Sequence, residues 1–254
     1  MIARAALVLA LGSLPSAALA WTKPPPDDAC RAVPFEGAAF TLCQAVPGKQ
    51  TLRLVDRGPD GKPLRSFAKL KAAGGKAPVA FAMNAGMFDA RGLPVGLLVI
   101  DGKPQKPLAQ GKGSGNFFLK PNGVFYEDAT GWHVVDTATY ATDQHDGLTF
   151  ATQSGPMLLI DGKLNDQFID DSSSLKWRSG VCARSPHEVV FAVSEAPVNF
   201  HTFGRLFRDK LGCRDALYLD GSISQFYIDG AGYAGAPAFM VKPYAGIFAV
   251  FSRH

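Results

Sequence analysis

A carboxylate, a glycine and two hydroxyls close the run Asp215-Ala216-Leu217-Tyr218-Leu219-Asp220-Gly221-Ser222-Ile223-Ser224. Its apolar middle reads as a buried strand, and a strand leaves its last side chain little freedom. The glycine lets the backbone turn and lets a ligand approach closely. Asp220 is therefore a candidate acid, base or nucleophile delivered to a cleft. Three other segments share this apolar-then-polar pattern. Residues 79–83 run into Asn84-Ala85-Gly86-Met87-Phe88, residues 150–153 run into Ser154-Gly155-Pro156, and Trp177-Arg178-Ser179-Gly180 opens another apolar stretch. Together they offer an amide, backbone and hydroxyl donors, and a guanidinium whose planar fork suits a phosphate. Each segment alone is also ordinary turn chemistry, since Asp, Asn, Gly and Ser are the usual turn residues.

The elements that must position these groups are mostly short strands. Residues 40–44 and 51–56 read as strands around Pro47-Gly48, and 64–73 as a short amphipathic helix ending at Gly74-Gly75. Residues 115–119 and 123–127 read as a strand pair across Pro121-Asn122. The phrases Leu98-Val99-Ile100-Asp101-Gly102-Lys103 and Leu158-Leu159-Ile160-Asp161-Gly162-Lys163 each carry the Asp-Gly of a two-residue hairpin. Phe203, Leu206, Phe207 and Leu211 make the apolar face of a helix with Thr202 as N-cap and Gly212 as stop. A strand at 188–194 precedes that helix and one at 216–219 follows, which predicts a β-α-β crossover. Ser194-Glu195 and Asp220-Gly221 would then lie at the same end of the sheet, where ligands collect. Glu195 is thus the second carboxylate best placed for the site, with Asp89 the other choice. The fold expected is α+β: one strand-rich domain with a mixed sheet, a few helices and one β-α-β unit near the C-terminus.

Composition bounds the rest. Arg4, the apolar stretch 5–14 and Ala18-Leu19-Ala20 form a signal peptide over residues 1–20, leaving a single domain over 21–254. Export and the absence of a later membrane-spanning segment imply a periplasmic or secreted protein with no stable membrane insertion. In an oxidising compartment the four cysteines read as disulfides. Three pairings exist. Cys30–Cys43 would staple an N-terminal hairpin, and Cys182–Cys213 would tie a strand to the end of the following helix, which favours that one. The net charge of +4 comes from scattered cations, which gives nucleic-acid binding little basis.

In this order the four segments resemble the phosphodiester glycosidase family. Its members carry Asn-Gly-Gly-aromatic-Phe, a Gly-Pro before an Asp-Gly hairpin, an Arg-Thr-x-x-Gly-like segment and Leu-Asp-Gly-Gly-x-Ser. The counterparts are Asn84 to Phe88, Ser154-Gly155-Pro156, Arg178-Ser179-Gly180 and Leu219 to Ser224, with Ala85 and Ser222 where the family has glycine. The resemblance implies hydrolysis of a sugar-1-phosphodiester at the C1–O bond. Asp220 would be the carboxylate near C1, Arg178 the cation at the phosphate, and Asn84 a further catalytic group. Gly86, Ser154, Gly155, Gly221, Ser222, Ser224 and Glu195 would bind substrate. A divalent cation held by Asp220, Asn84 and nearby carbonyls is compatible with this residue set. Two rival readings stand beside it. One is a non-catalytic module that binds envelope glycans. The other is a serine hydrolase using Ser154 with His133, His145 or His201, although the Gly-x-Ser-x-Gly elbow is absent.

Overall fold

The computed structural model describes residues 29–73, 78–240 and 242–252. The expected signal peptide and the Gly74-Gly75 stop lie outside them. Three antiparallel sheets make up the body. The largest runs β1 (Cys30–Phe35), β2 (Ala38–Ala45), β13 (Glu188–Ser194), β12 (Arg178–Ser185), β14 (Ala216–Gly221), β10 (Met157–Ile160) and β11 (Lys163–Leu164). A second runs β16 (Gly232–Gly235), β15 (Gln225–Ile228), β4 (Val79–Asn84), β17 (Ile247–Ser252) and β3 (Gln50–Val55). The third runs β6 (Lys103–Lys106), β5 (Leu98–Ile100), β9 (Phe150–Ser154), β7 (Gly123–Asp128) and β8 (Gly131–Asp136).

Aromatic side chains from all three sheets meet in one core. Phe125 of the third sheet lies 5.8 Å from Phe191 of the first and 5.3 Å from Phe248 of the second, centroid to centroid. Alternation explains why the same strands also bury their other faces. The outer face of the large sheet is covered by α3 (Phe200–Arg205) and the single π-helical turn that continues it over Leu206–Lys210. Phe203, Leu206, Phe207 and Leu211 are all buried there, as their spacing predicts. The cap lies three residues earlier than expected: Asn199, not Thr202, accepts the Thr202 N–H. Gly212 ends the turn in the left-handed region, at φ 66°.

The strand-rich α+β character holds, but two expectations fail. Every pairing between these strands is antiparallel, so the sheet is not mixed. Strands β13 and β14 run the same way yet are not neighbours, because β12 lies between them and pairs with both. There is accordingly no β-α-β unit of hydrogen-bonded parallel strands. Residues 115–119 are not a strand either. Asn116–Phe118 forms a 3-10 turn, Phe117 is buried and packed on Phe118, and β7 pairs with β8 and β9 instead. The two Asp-Gly phrases are hairpin turns, with both residues of each at positive φ. Cys30 is joined to Cys43, its direct cross-strand partner, and Cys182 to Cys213.

Candidate active site

The four polar segments come together at one end of β14. Asp220 is paired with Ser179 and Gly221 with Arg178 across the β14–β12 ladder, next to a bulge. Ser154, ending β9, donates from Oγ to Leu219 O at 2.7 Å. Ser224 Oγ lies 2.8 Å from Asp220 O and 2.9 Å from Ser179 Oγ. Asn84, ending β4, accepts the Gln225 N–H on Oδ1 at 3.0 Å. Gly86 and Gly155 are needed for packing. A Cβ on Gly86 would stand 2.9 Å from Thr152 Oγ1, and one on Gly155 2.6 Å from Asn122 Cβ. Apart from the local bond from Ser224 to Asp220 O, these hydrogen bonds cross between segments far apart in the chain.

Asp220 opens onto a cleft of ≈ 910 Å³, whose walls include Arg65, Lys69, Asp89, Arg91, Ser222 and Lys242. A second recess of ≈ 880 Å³ between β3 and β6 contains none of the four segments. Of these two, the cleft at Asp220 is the one that residues of the four segments line, through Phe88 and residues 220–223. Burial pushes the Asp220 carboxyl up to about 7, and a 2.6 Å hydrogen bond from its neighbour Gly221 N–H only partly opposes that. Asp89 is the opposite case. Hydrogen bonds from the Arg91 side chain and from the Leu93 and Arg91 N–H groups hold its carboxyl below the usual range. Two non-glycine residues outside the hairpin turns adopt positive φ among the described residues, Arg65 at 59° and Ser222 at 56°. Both stand on this cleft, and such strain gathers at functional sites. Ser222 occupies a position whose backbone suits glycine.

Several sequence expectations change. Arg178 is fully buried rather than open to a ligand. Its Nε donates to Val198 O and its Nη2 to Ser174 O, while the guanidinium stacks 3.6 Å over the Phe200 ring. Only Nη1 is left without a partner. Glu195 is not in the cleft. Its carboxylate accepts Thr41 Oγ1 at 2.5 Å and Gly235 N at 3.0 Å, so both oxygens tie β13 to neighbouring strands. A Cβ on Gly221 would stand 2.2 Å from the Tyr218 hydroxyl, so glycine makes room for that side chain while Gly221 itself lines the cleft. Ser154 is buried and commits its hydroxyl to a carbonyl. The histidines have other neighbours: His133 is 3.3 Å from Asp128, His145 stacks on Tyr140, and His201 is 2.8 Å from Asp170.

Side chains that the sequence reading passed over complete the site. Tyr218 is buried two residues before Asp220, and the ladder bulges between the two, so strand alternation alone does not mark it from the sequence. Burial raises its hydroxyl pKa and the Asp220 charge adds to this, while Arg178 opposes it. Arg65, Lys69 and Lys242 carry no local signal, because only folding brings them to Asp220. Buried donors without protein partners gather here: Asn84 Nδ2, Trp177 Nε1, Arg178 Nη1 and Tyr244 OH. Among the described residues no three His, Cys, Asp or Glu side chains are grouped, and Asn84 Oδ1 is already engaged.

The sequence profile of the phosphodiester glycosidase family matches residues 77–251. The chain belongs to that family. The matched residues contain all four segments and the whole of β14. An uncharacterized protein of Escherichia coli, YigE, is 36% identical over 152 residues, 60% of this chain and 59% of that protein. This chain therefore aligns with less than two thirds of the length of that relative. Among solved structures, the catalytic domain of zebrafish N-acetylglucosamine-1-phosphodiester alpha-N-acetylglucosaminidase superimposes with a TM-score of 0.56 at 14% identity. That likeness covers 88% of this chain and 82% of the zebrafish domain. A hypothetical protein from Synechocystis gives 0.54 at 14% identity, over 88% of this chain and 61% of the other. At such identities the two structures establish the shared fold.

Proposed function

We propose that this protein hydrolyses glycosyl-1-phosphodiesters at the C1–O bond, releasing free sugar and a phosphomonoester, on substrates outside the cytoplasm. The observation that carries the reading is Asp220, a strand-end carboxyl with a raised pKa that lines a basic cleft beside the place where the four family segments meet. The leaving phosphate is already acidic, so the reaction asks little of a general acid. It asks for a carboxylate at C1 and positive charge at the phosphate. Ionised Asp220 takes the first role. As base it draws a proton from the attacking water while the water oxygen bonds to C1 and the C1–O electron pair leaves with the phosphate. A pKa near neutrality makes it a stronger base than an ordinary aspartate.

Arg65 supplies the positive charge. Its Nη1 is anchored on Gly92 O at 2.6 Å, which holds the guanidinium in the cleft wall. Arg178 acts as a positioning residue. It ties the segments of Ser174 and Val198 together beside Trp177, whose carbonyl accepts the Ser222 N–H at 3.0 Å. Asn84, through Gln225, braces the turn that follows Asp220. Two disulfides support export to an oxidising compartment.

Asp220→Asn decides between catalysis and binding. The substitution keeps shape and removes charge, so kcat should fall about a hundredfold or more, roughly 3 kcal/mol of transition-state stabilisation, with substrate still bound. Wild-type kcat/KM should rise with pH through about 7, and that limb should be absent in the variant. A panel of hexose-1-phosphodiesters, assayed for free sugar and phosphomonoester, makes the measurement. Near wild-type turnover by Asp220→Asn would remove Asp220 from the chemistry. Binding without any turnover by wild type would favour the glycan-binding reading.

A further inference from the structure

The cleft carries more positive charge than one phosphodiester needs. Four cations, Arg65, Lys69, Arg91 and Lys242, share its walls with two carboxylates, Asp89 and Asp220. Arg91 and Asp89 neutralise each other, with Nε and Nη2 at 3.0 and 2.7 Å from Asp89 Oδ2. Asp220 does not neutralise the others, since no cation offsets the effect of burial on its carboxyl. Among the described residues, Arg65, Lys69 and Lys242 form no ion pair. Three cations therefore face the cleft against the single carboxylate of Asp220. A glycosyl phosphodiester brings one negative charge, which Arg65 already answers.

Position sharpens the point. Arg65 and Lys69 precede the residues matched by the family profile, 77–251, so this wall is built from chain outside the family's matched segment. Lys69 lies on α1 (Phe67–Ala73), and Lys242 faces the same cleft from the approach to β17. An ammonium on a flexible stem is a mobile point charge, unlike the forked guanidinium. Two such groups suit a terminal phosphate, which bears about −1.5 to −2 at neutral pH.

We propose that the aglycone of the substrate carries a second phosphate beyond the scissile diester, and that Lys69 and Lys242 bind it. The inference rests on the glycosyl phosphodiester reading above and narrows its substrate class to aglycones that carry a distal phosphomonoester. The scissile phosphate lies at Arg65 and the second toward the rim, so Asp220 is left free to act at C1.

The test compares two synthetic substrates that differ only in the aglycone, hexosyl-1-phosphoglycerol and the same compound phosphorylated on the distal glycerol hydroxyl. Wild type should prefer the bis-phosphorylated substrate by about tenfold or more in kcat/KM at low salt, mostly through KM. The preference should shrink as salt shortens the screening length to about 10 Å near 0.1 M. In Lys69→Gln/Lys242→Gln the ratio should fall toward one, whereas Lys103→Gln, on the other recess, should retain it. Equal kcat/KM for both substrates in wild type, or an unchanged ratio in the double variant, would overturn the proposal. Should neither substrate turn over, the hydrolase reading fails separately. Calorimetry with glycerol-1,3-bisphosphate and glycerol-1-phosphate then reads the site directly. A tenfold tighter bisphosphate that depends on the two lysines supports it, and equal affinities overturn it.

Discussion

Asp220 pays for its position in stability, and that cost has a pH signature. Its folded-state pKa of about 7 lies above the ordinary 3.8, so the folded protein holds the proton more tightly than the unfolded chain. Stability attributable to this group is full below 3.8 and is lost as pH rises through about 7. Asp220→Asn has no proton to lose. It should therefore match wild type near pH 4 and become the more stable of the two above pH 7. The gap is of the order of a few kcal/mol, since one pKa unit corresponds to about 1.4 kcal/mol. Urea melts of both proteins at pH 4 and pH 8 check this, and an equal gap at both pH values would contradict the assignment of a buried, raised carboxyl. Ser222 and Arg65 add backbone strain on the same cleft. A left-handed backbone at a residue with a Cβ costs about 1–2 kcal/mol, which neighbouring contacts must offset.

At the scale of elements, the site depends on what joins β12 to α3. Arg178, at the start of β12, donates to Val198 O, and the next residue, Asn199, caps α3. Asn199 also donates from Nδ2 to Asp170 O at 2.7 Å, so one side chain holds the helix start and the 170s segment together. Asn199→Ala removes both bonds. Loss of a cap of this kind costs about 1 kcal/mol, and a thermal melt should show the lower Tm. Turnover should weaken with it, because the carbonyl that holds Arg178 is adjacent. A variant with unchanged Tm would show that the cap bond carries no stability here. The π-helical turn after α3 lets Phe203, Leu206, Phe207 and Leu211 all reach the outer face of the large sheet.

At the scale of the molecule, three sheets enclose one core, so the cleft cannot be loosened independently of the rest. Phe125, Phe191 and Phe248 come from different sheets and touch one another. Phe125→Ala would leave a cavity where all three meet. The expected cost is about 3–5 kcal/mol, a large share of the roughly 5–15 kcal/mol that holds a domain folded. Near-UV circular dichroism and tryptophan fluorescence should report one coincident urea transition at a lower midpoint. Separate transitions would mean that the sheets unfold as independent units.

Much of what depends on neighbours along the chain was legible from the residues alone, although the 3-10 turn at Asn116–Phe118 read as a strand and the helix cap at Asn199 was placed on Thr202. Asp101-Gly102 and Asp161-Gly162 specify hairpin turns, and the spacing of Phe203, Phe207 and Leu211 specifies a buried helix face. Cys30 and Cys43 flank a hairpin short enough to place them opposite each other. The polar ends of β4, β9 and β14 were recognisable for the same reason, since strand period and turn chemistry are local. What only the tertiary structure decided is non-local. Nothing between residues 188 and 219 says that β12 inserts between β13 and β14, because pairing partners are chosen by contacts across the whole sheet. Arg178 looked like an exposed clamp, yet Phe200, Val198 and Ser174 from other segments desolvate and engage it. Glu195 looked like a second carboxylate, yet Thr41 and Gly235 occupy its oxygens. Arg65, Lys69 and Lys242 looked like scattered surface charge. They become one basic wall beside Asp220 only when α1 and the chain leading into β17 are brought to the end of β14.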